Sequence, residues 1–281
     1  MRRFYIIVNS EKSHADEAAK QIDSYLAQNG AVCRFAGGVI ENGRYHLKLS
    51  DMPDDTDCII TLGGDGTLIQ AARESAKNKI PIIGINMGNI GYLTEIGKAD
   101  NIRELLHALL EDSFEIEERM MLEGRIFRNG REHEPGIALN DIIVREGECR
   151  ILKLRIYVDG HFLNEYRVDG MIVATPTGST AYNLSAGGPI AQPDGRLLIL
   201  TPICPHTLTS RTIVFGAESR IQIEIAGVTQ GKAMAIFDGD TREELCVGDR
   251  IEILKSDIVT RVVKLNHRSF LDILKQKMAG I

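Results

Sequence analysis

The pattern of apolar and polar positions changes character near residue 114. Before that point, short unbroken apolar runs alternate with stretches of helical period. Phe4 to Val8, Cys58 to Leu62 and Pro81 to Ile85 have the length and branching of strands buried on both faces. Ala18, Ile22 and Leu26 make an apolar stripe over a helix from Ala15 to Leu26, which Gly30 ends as a C′ residue. Ala31 to Phe35 predicts a second strand. A helical pattern spans Leu68 to Ala76, and another carries Ile102, Leu105, Leu106 and Leu109 behind a cap at Asp100 or Asn101. Residues 36–56 are rich in Gly and Asp, with weak alternation around Tyr45, Leu47 and Leu49. They read as a mobile surface loop holding at most one edge strand.

After residue 114 the period becomes two. Phe114 to Arg119, Leu122 to Phe127, Leu152 to Val158 and Ile221 to Ile225 alternate, and Asn129-Gly130 and Asp159-Gly160 are hairpin turn pairs. Helical period returns from Ser269 to Met278, with Phe270, Leu271 and Leu274 on one side. The pattern therefore predicts three parts. An α/β N-terminal domain with an open sheet covers 1–113, and a β-rich antiparallel second domain covers 114–262. A C-terminal segment, 263–281, returns its helix to the first domain.

Composition narrows the function. The 281 residues suit two domains. A formal net charge of −6, no Trp and 5% aromatics disfavour a nucleic-acid grip, though not a local pocket for a small anion. Cys33, Cys58, Cys149, Cys204 and Cys246 lack metal or redox spacing, which favours a reduced, cytoplasmic setting. No stretch reaches transmembrane length, and the N-terminal apolar run reads as a strand, not a signal peptide. The histidines show no metal-ligand spacing, and His206 is expected to satisfy core polar groups.

Candidate chemistry concentrates in glycine turns at strand ends. Gly63-Gly64-Asp65-Gly66-Thr67 follows the apolar run ending at Leu62 and opens a helix, the layout in which backbone N–H groups and a helix N-terminus face an anion. Asp65 stands where a phosphate-binding lysine might be sought. Beside a phosphate it would repel the ligand unless it held Mg²⁺ or accepted a hydroxyl proton. A tight Gly-Asp-Gly turn is the plainer alternative. Asn86 to Leu93 is a second glycine loop at the same sheet edge, which strengthens a nucleotide site. The early G-x-G-x-x-G of a Rossmann fold, the P-loop lysine motif and the G-x-S-x-G elbow are absent. In the second half, Asn140-Asp141 and the stretch Tyr166 to Pro189 are more polar than strands require, although ordinary turn chemistry fits Asn140-Asp141 about as well as a functional role. The buried hydroxyls and glycines from Asp169 to Gly188 are expected to need a polar ligand as their partner.

These motifs resemble the ATP-dependent NAD kinases, which phosphorylate the 2′-hydroxyl of the adenosine ribose of NAD to give NADP. The resemblance rests on Gly63 to Thr67, Asn86 to Leu93, Asn140-Asp141, and Asp169-Gly170 through Thr175-Pro176-Thr177-Gly178-Ser179-Thr180-Ala181-Tyr182 to Gly187-Gly188-Pro189, extended by His206, Thr207, Leu208 and Arg211. The Gly-Gly-Asp-Gly-Thr turn is shared with diacylglycerol and sphingosine kinases. The Thr-Pro-Thr-Gly-Ser-Thr-Ala-Tyr run is more specific.

The resemblance implies Asp65 as the base at the reacting hydroxyl, with Gly63, Gly64, Gly66 and Thr67 at phosphates. It implies Asn140 at adenine, Asp141 and Asp169 at the nicotinamide ribose, Thr177, Thr180, Ala181 and Tyr182 in the dinucleotide pocket, and Asp238 near bound NAD. Gly66, Asn86 and Arg167 are assigned to the substrate site as well. ATP is the implied donor, with Mg²⁺ or another divalent metal carried mainly by its phosphates, and a homodimer or homotetramer the implied assembly. Lys12, Arg167, Arg211 and Lys232 are donor-groove candidates by charge alone. Gly239, after Asp238, has no side chain to stack on a nicotinamide ring. Two other readings compete: a lipid or sugar kinase sharing the Gly-Asp-Gly turn, and a nucleotide-sensing binder without turnover, for which Asp65 would have no use.

Overall fold

The structure is a computed structural model. It describes residues 1–279 apart from 10, 11, 13, 42, 43, 50, 87–90, 95–101, 134, 148–150, 208, 229–231 and 266–268. The chain divides into two compact units. One comprises Met1–Glu118 with Thr260–Ile281, and the other comprises Arg119–Val259.

Unit 1 is α/β. Its parallel sheet has the order β2 (Val32–Phe35), β1 (Arg3–Val8), β5 (Cys58–Gly63) and β6 (Ile82–Asn86). The end of a long strand, β19 (Arg250–Lys264), joins it, with Val262 opposite Ile82. Residues 58–63 and 82–86 are buried throughout, as the unbroken apolar runs predict for strands covered on both faces. Helices α1 (Ala15–Gln28) and α3 (Ile102–Leu110) share one core with Phe4, Ile6, Ile60, Leu62, Ile83 and Ile85. Helix α2 (Asp65–Ser75) follows β5 directly and buries Leu68, Ala71 and Ala72. The cap expected at Asp100 or Asn101 lies outside the described residues.

Residues 36–56 depart from the expected loop. Strands β3 (Gly37–Glu41) and β4 (Arg44–Lys48) form an antiparallel pair running from Gly37 opposite Lys48 to Glu41 opposite Arg44. Gly37 and Gly38 carry no side-chain signal, and main-chain pairing does not require one. The last helix, α5 (Phe270–Met278), begins with a reciprocal cap between Ser269 and Asp272. Its apolar stripe is not buried; Leu271 is exposed.

Unit 2 is antiparallel. One group of strands contains β11 (Leu152–Val158), paired on one side with β12 (His161–Val168) and on the other with β16 (Ile221–Val228), which in turn pairs with Arg250 to Ile253 of β19. Strand β7 (Glu115–Arg128) pairs with the short β8 (Arg131–Glu132) and β9 (Gly136–Ala138). The alternating stretches before and after residue 120 are thus one long strand. At Asn129-Gly130 and Asp159-Gly160 both residues have positive φ, as the hairpin pairs predict.

The second sheet has six strands in the order β15 (Ile213–Gly216), β14 (Leu197–Ile203), β13 (Gly170–Ala174), β10 (Asp141–Glu146), β17 (Ala233–Phe237) and β18 (Thr241–Leu245). Alternation along β10 sorts its residues. Ile142 and Val144 join a core with Leu154, Ile156, Ile223 and Phe237. Ile143 faces the other way, with Ile172, Ile199 and Ile203, where Tyr182, Ala186 and Ala191 cover it. Among the described residues no helix is long and apolar enough to cross a membrane.

Candidate active site

In unit 1 the site is built where β5 gives way to α2. Gly64 is the N-cap, in extended conformation with φ −111° and ψ −172°, and brings no side chain to cap the first turn. A Cβ on Gly64 or Gly66 would meet no atom within 4 Å, so both face open space. A ligand phosphate could approach this backbone closely, at the positive end of the helix dipole. Thr67 is held from β1's side, its Oγ1 accepting a hydrogen bond from Asn9 Nδ2 at 3.2 Å.

Asp65 sits in that first turn with its carboxylate directed at the C-terminal end of the second glycine loop and the residue that follows it. Oδ2 accepts the Tyr92 N–H at 2.7 Å. Oδ1 accepts the N–H groups of Leu93 and Thr94 at 3.3 and 3.2 Å and the Thr94 hydroxyl at 3.0 Å. The Thr94 hydroxyl in turn accepts from Asn86 Nδ2 at 2.9 Å. Asn86 and Thr94 are both buried. Burial, and then the nearby Asp65 charge, push the Tyr92 phenol up from its ordinary value. The Lys277 ammonium lies 5.4 Å from the Tyr92 ring centroid. Met87 to Ile90, the middle of the second glycine loop, lie outside the described residues.

In unit 2 a second carboxylate is tied to backbone. Asp238 follows β17 directly, with φ 49°. Its Oδ2 accepts the Leu139 N–H at 2.8 Å, and its Oδ1 accepts those of Asn140 and Asp141 at 2.7 and 3.3 Å. The Asp238 N–H donates to the Asp141 carbonyl. From the other side, the Thr175 N–H donates to the Asn140 carbonyl at 2.8 Å and the Thr175 hydroxyl to the Leu139 carbonyl at 2.7 Å. The Gly178 N–H closes on Thr175 Oγ1 at 3.0 Å. A Cβ on Gly178 would run into the Asn140 carbonyl, so this close approach admits glycine alone.

The frame around Asn140 and Asp141 is therefore saturated, but their side chains are not. Among the described residues neither the Asn140 amide nor the Asp141 carboxylate has a side-chain hydrogen bond. Asp141 is only 3% exposed. Burial first, and the Asp238 charge second, push its carboxyl up to about 7. A buried carboxylate without donors is costly unless a ligand supplies them.

The remaining expected site residues fall into two groups. Thr177, Thr180, Ala181 and Tyr182 follow Thr175 directly, in a 3₁₀ turn (Thr177–Thr180) and a short helix, α4 (Tyr182–Ser185). Thr177 Oγ1 lies 3.5 Å from Nη1 of the buried Arg119. Arg167 and Asp169 sit at the end of β12 and just beyond it. Arg167 is exposed, and Asp169 Oδ1 is 3.7 Å from His206 Nε2.

Two expectations need correction. His206 does not satisfy the core; its side chain is exposed, held beside Asp169 by a backbone hydrogen bond to the Arg167 carbonyl. The buried hydroxyls between Asp169 and Gly188 do not wait for a ligand either. Ser179 exchanges hydrogen bonds with both backbone groups of Ala191. Asn183 donates to the carbonyls of Ser179 and Pro189 and accepts from the Thr201 hydroxyl. These groups fold the segment. Thr94's tie to Asp65 and the framing of Leu139 to Asp141 by Asp238 and Thr175 carry no local sequence signal, because those partners are 29 or more residues apart.

Comparison with known proteins identifies the pattern. The family model described as ATP-NAD kinase N-terminal domain matches residues 4–114, and the one described as ATP-NAD kinase C-terminal domain matches residues 139–265. The NAD kinase of Lachnospira eligens is 42% identical over 297 residues, covering 99% of this chain and 100% of the relative. That of Agathobacter rectalis is 42% identical over 285 residues, covering 100% and 99%. Among solved structures, an NAD kinase from Archaeoglobus fulgidus in complex with ATP superposes with a TM-score of 0.76 at 26% identity, covering all of both chains. Yeast NADH kinase complexed with NADH shares the fold, with a TM-score of 0.84 at 23% identity, covering 99% of this chain and 88% of that one.

Proposed function

The chain belongs to the ATP-NAD kinase family, and from that premise we propose which residues carry the reaction. The enzyme phosphorylates NAD with ATP. In our reading the acceptor is the 2′-hydroxyl of the adenosine ribose. Its oxygen attacks the γ-phosphorus, an O–P bond forms, the bond to the β,γ-bridging oxygen breaks, and ADP leaves.

Asp65 accepts the hydrogen bond of the attacking hydroxyl and takes its proton late in the transfer. An ionised carboxylate has about four acceptor positions, and four donors already hold this one. Their distribution, three on Oδ1 and one on Oδ2, leaves Oδ2 as the atom for the substrate. A carboxylate so engaged serves mainly to orient, which suits a loose phosphoryl transfer governed by positioning. Gly63, Gly64, Gly66 and Thr67 provide the backbone and helix terminus for phosphate. No three His, Cys, Asp or Glu side chains cluster as a metal cage among the described residues. In our reading a divalent metal, Mg²⁺, would come with the donor, bound mainly through its phosphates, and would neutralise charge developed there.

Asn140 reads adenine with its two-sided amide, and Asp141 and Asp169 accept from the nicotinamide ribose. Thr177, Thr180, Ala181 and Tyr182 line the dinucleotide pocket with Arg167, and Gly66 is assigned to the substrate as well. Asn86 acts through Thr94, since its amide is buried against that hydroxyl. The observation that carries the proposal is the unpartnered pair Asn140 and Asp141 in an otherwise satisfied frame. The protein functions in the cytoplasm as a homodimer or homotetramer, which light scattering on a sizing column would distinguish. The direct test is incubation with NAD, ATP and Mg²⁺. NADP should form, with a phosphorus resonance of a ribose 2′-phosphate; its absence would overturn the reading.

A further inference from the structure

We infer that Thr94 is a positioning residue for the reaction, orienting Asp65 through its hydroxyl. The inference rests on the role proposed above for Asp65 and adds a residue to it. Thr94 is anchored on three sides. Its backbone N–H and its hydroxyl both reach Asp65 Oδ1, at 3.2 and 3.0 Å. The hydroxyl is itself held by Asn86 Nδ2 at 2.9 Å. Since the amide can only donate and the ionised carboxylate can only accept, the Thr94 proton has one direction to point, toward Asp65. Its methyl group lies against β6: a Cβ on Gly84 would run into Thr94 Cγ2.

The carboxylate is thus turned by a relay from Asn86, at the end of a buried strand, to Thr94 and then to Oδ1. The relay occupies Oδ1 and so presents Oδ2. Gly91 completes the arrangement. A Cβ there would collide with Asp65 Oδ1 and with Thr94 Oγ1, so the chain passes the carboxylate without a side chain. A threonine meets both demands, with a methyl to lock the rotamer and a hydroxyl to donate. Valine keeps the first feature and serine the second, which makes the two roles separable.

The test uses the full-length enzyme with NAD and Mg·ATP. Thr94→Val should lower kcat by roughly 10-fold or more, the scale of one hydrogen bond to a charged group, while KM for both substrates changes less than about twofold. Thr94→Ser should stay within about threefold of wild type. In an Asp65→Asn background, Thr94→Val should cost less than about twofold further, because its route of action is already gone. If Thr94→Val does not fold, Thr94→Ala against Thr94→Ser supplies the same contrast. Equal losses in the serine and valine variants, or an undiminished loss in the Asp65→Asn background, would overturn the inference. Failure of the underlying assignment is distinguishable, since Asp65→Asn alone would then keep near-normal turnover.

Discussion

Asp65 in unit 1 and Asp238 in unit 2 are treated alike, and Asp141 differently. Asp65 and Asp238 each accept three backbone N–H groups from three consecutive residues, Tyr92 to Thr94 in one case and Leu139 to Asp141 in the other. Each carboxylate closes a loop that the sheet alone would leave open. Asp141 has no donor among the described residues, lies deeper, and faces the Asp238 charge. The difference separates position from readiness to bind. A carboxylate held by backbone donors is oriented at little cost, whereas a buried one without donors gains most when a ligand brings hydroxyls.

Breaking the first member of that comparison should have the largest effect. Asp65→Asn keeps the shape but replaces an acceptor atom with a donor. Turnover should fall by roughly 10²-fold or more, the scale for losing a positioned acid–base group, while NAD affinity by calorimetry stays near wild type. Near-normal turnover would remove Asp65 from the chemistry. Asp238→Ala should reverse the pattern. It leaves the N–H groups of Leu139, Asn140 and Asp141 without their acceptor, so NAD affinity should fall by at least about tenfold and stability by on the order of 2–3 kcal/mol. Denaturant titration with unchanged stability would contradict the framing role.

Asn140→Ala sharpens the comparison further, since it removes a side chain from the frame without touching its hydrogen bonds. NAD affinity should weaken by about tenfold, on the scale of one or two lost hydrogen bonds, with a smaller change in KM for ATP. Unchanged affinity would take Asn140 out of the site. The smallest effect concerns the nicotinamide ring. Gly239 brings no side chain to it, so the charges of Asp141 and Asp169 are left to favour the cationic ring of NAD⁺ over neutral NADH. Screened attraction of about 1 kcal/mol corresponds to a preference of roughly fivefold to tenfold in kcat/KM. The preference should shrink as salt rises; a preference for NADH at low salt would refute it.

Much of this fold is legible in the sequence because two physical signals are strong. Unbroken apolar runs mark strands buried on both faces, as at Cys58 to Leu62, and alternation with Asn-Gly or Asp-Gly pairs marks the hairpins of unit 2. Where those signals fade, the reading fails. The hairpin of β3 and β4 opens on two glycines, and α2 begins at Asp65, three residues before its apolar period at Leu68 becomes visible. The site was legible as motifs but not as partnerships. Nothing near Gly64-Asp65-Gly66 in sequence announces Tyr92 to Thr94, and nothing in Asn140-Asp141 announces Asp238 as the clamp on its backbone. The hydroxyls of Thr175 and Ser179 show the converse error. Their polarity reads as demand for a ligand, yet neighbouring backbone satisfies it.

The measurement closest to the centre of this account is the proton released when NAD binds. The Asp141 carboxyl, held up to about 7 by burial and by Asp238, is largely protonated just below that pH in the free protein. In the proposed assignment, ribose hydroxyls donating to it would favour the ionised form and lower its value on binding. Binding should therefore release protons in the window below about pH 7, and NAD affinity should fall as pH falls through it, by at most about tenfold per pH unit. Calorimetry at pH 6.5 in two buffers of different ionisation enthalpy reads this directly. The wild type should show net proton release, lost in Asp141→Asn. No release by the wild type, or an equal release by the variant, would contradict it.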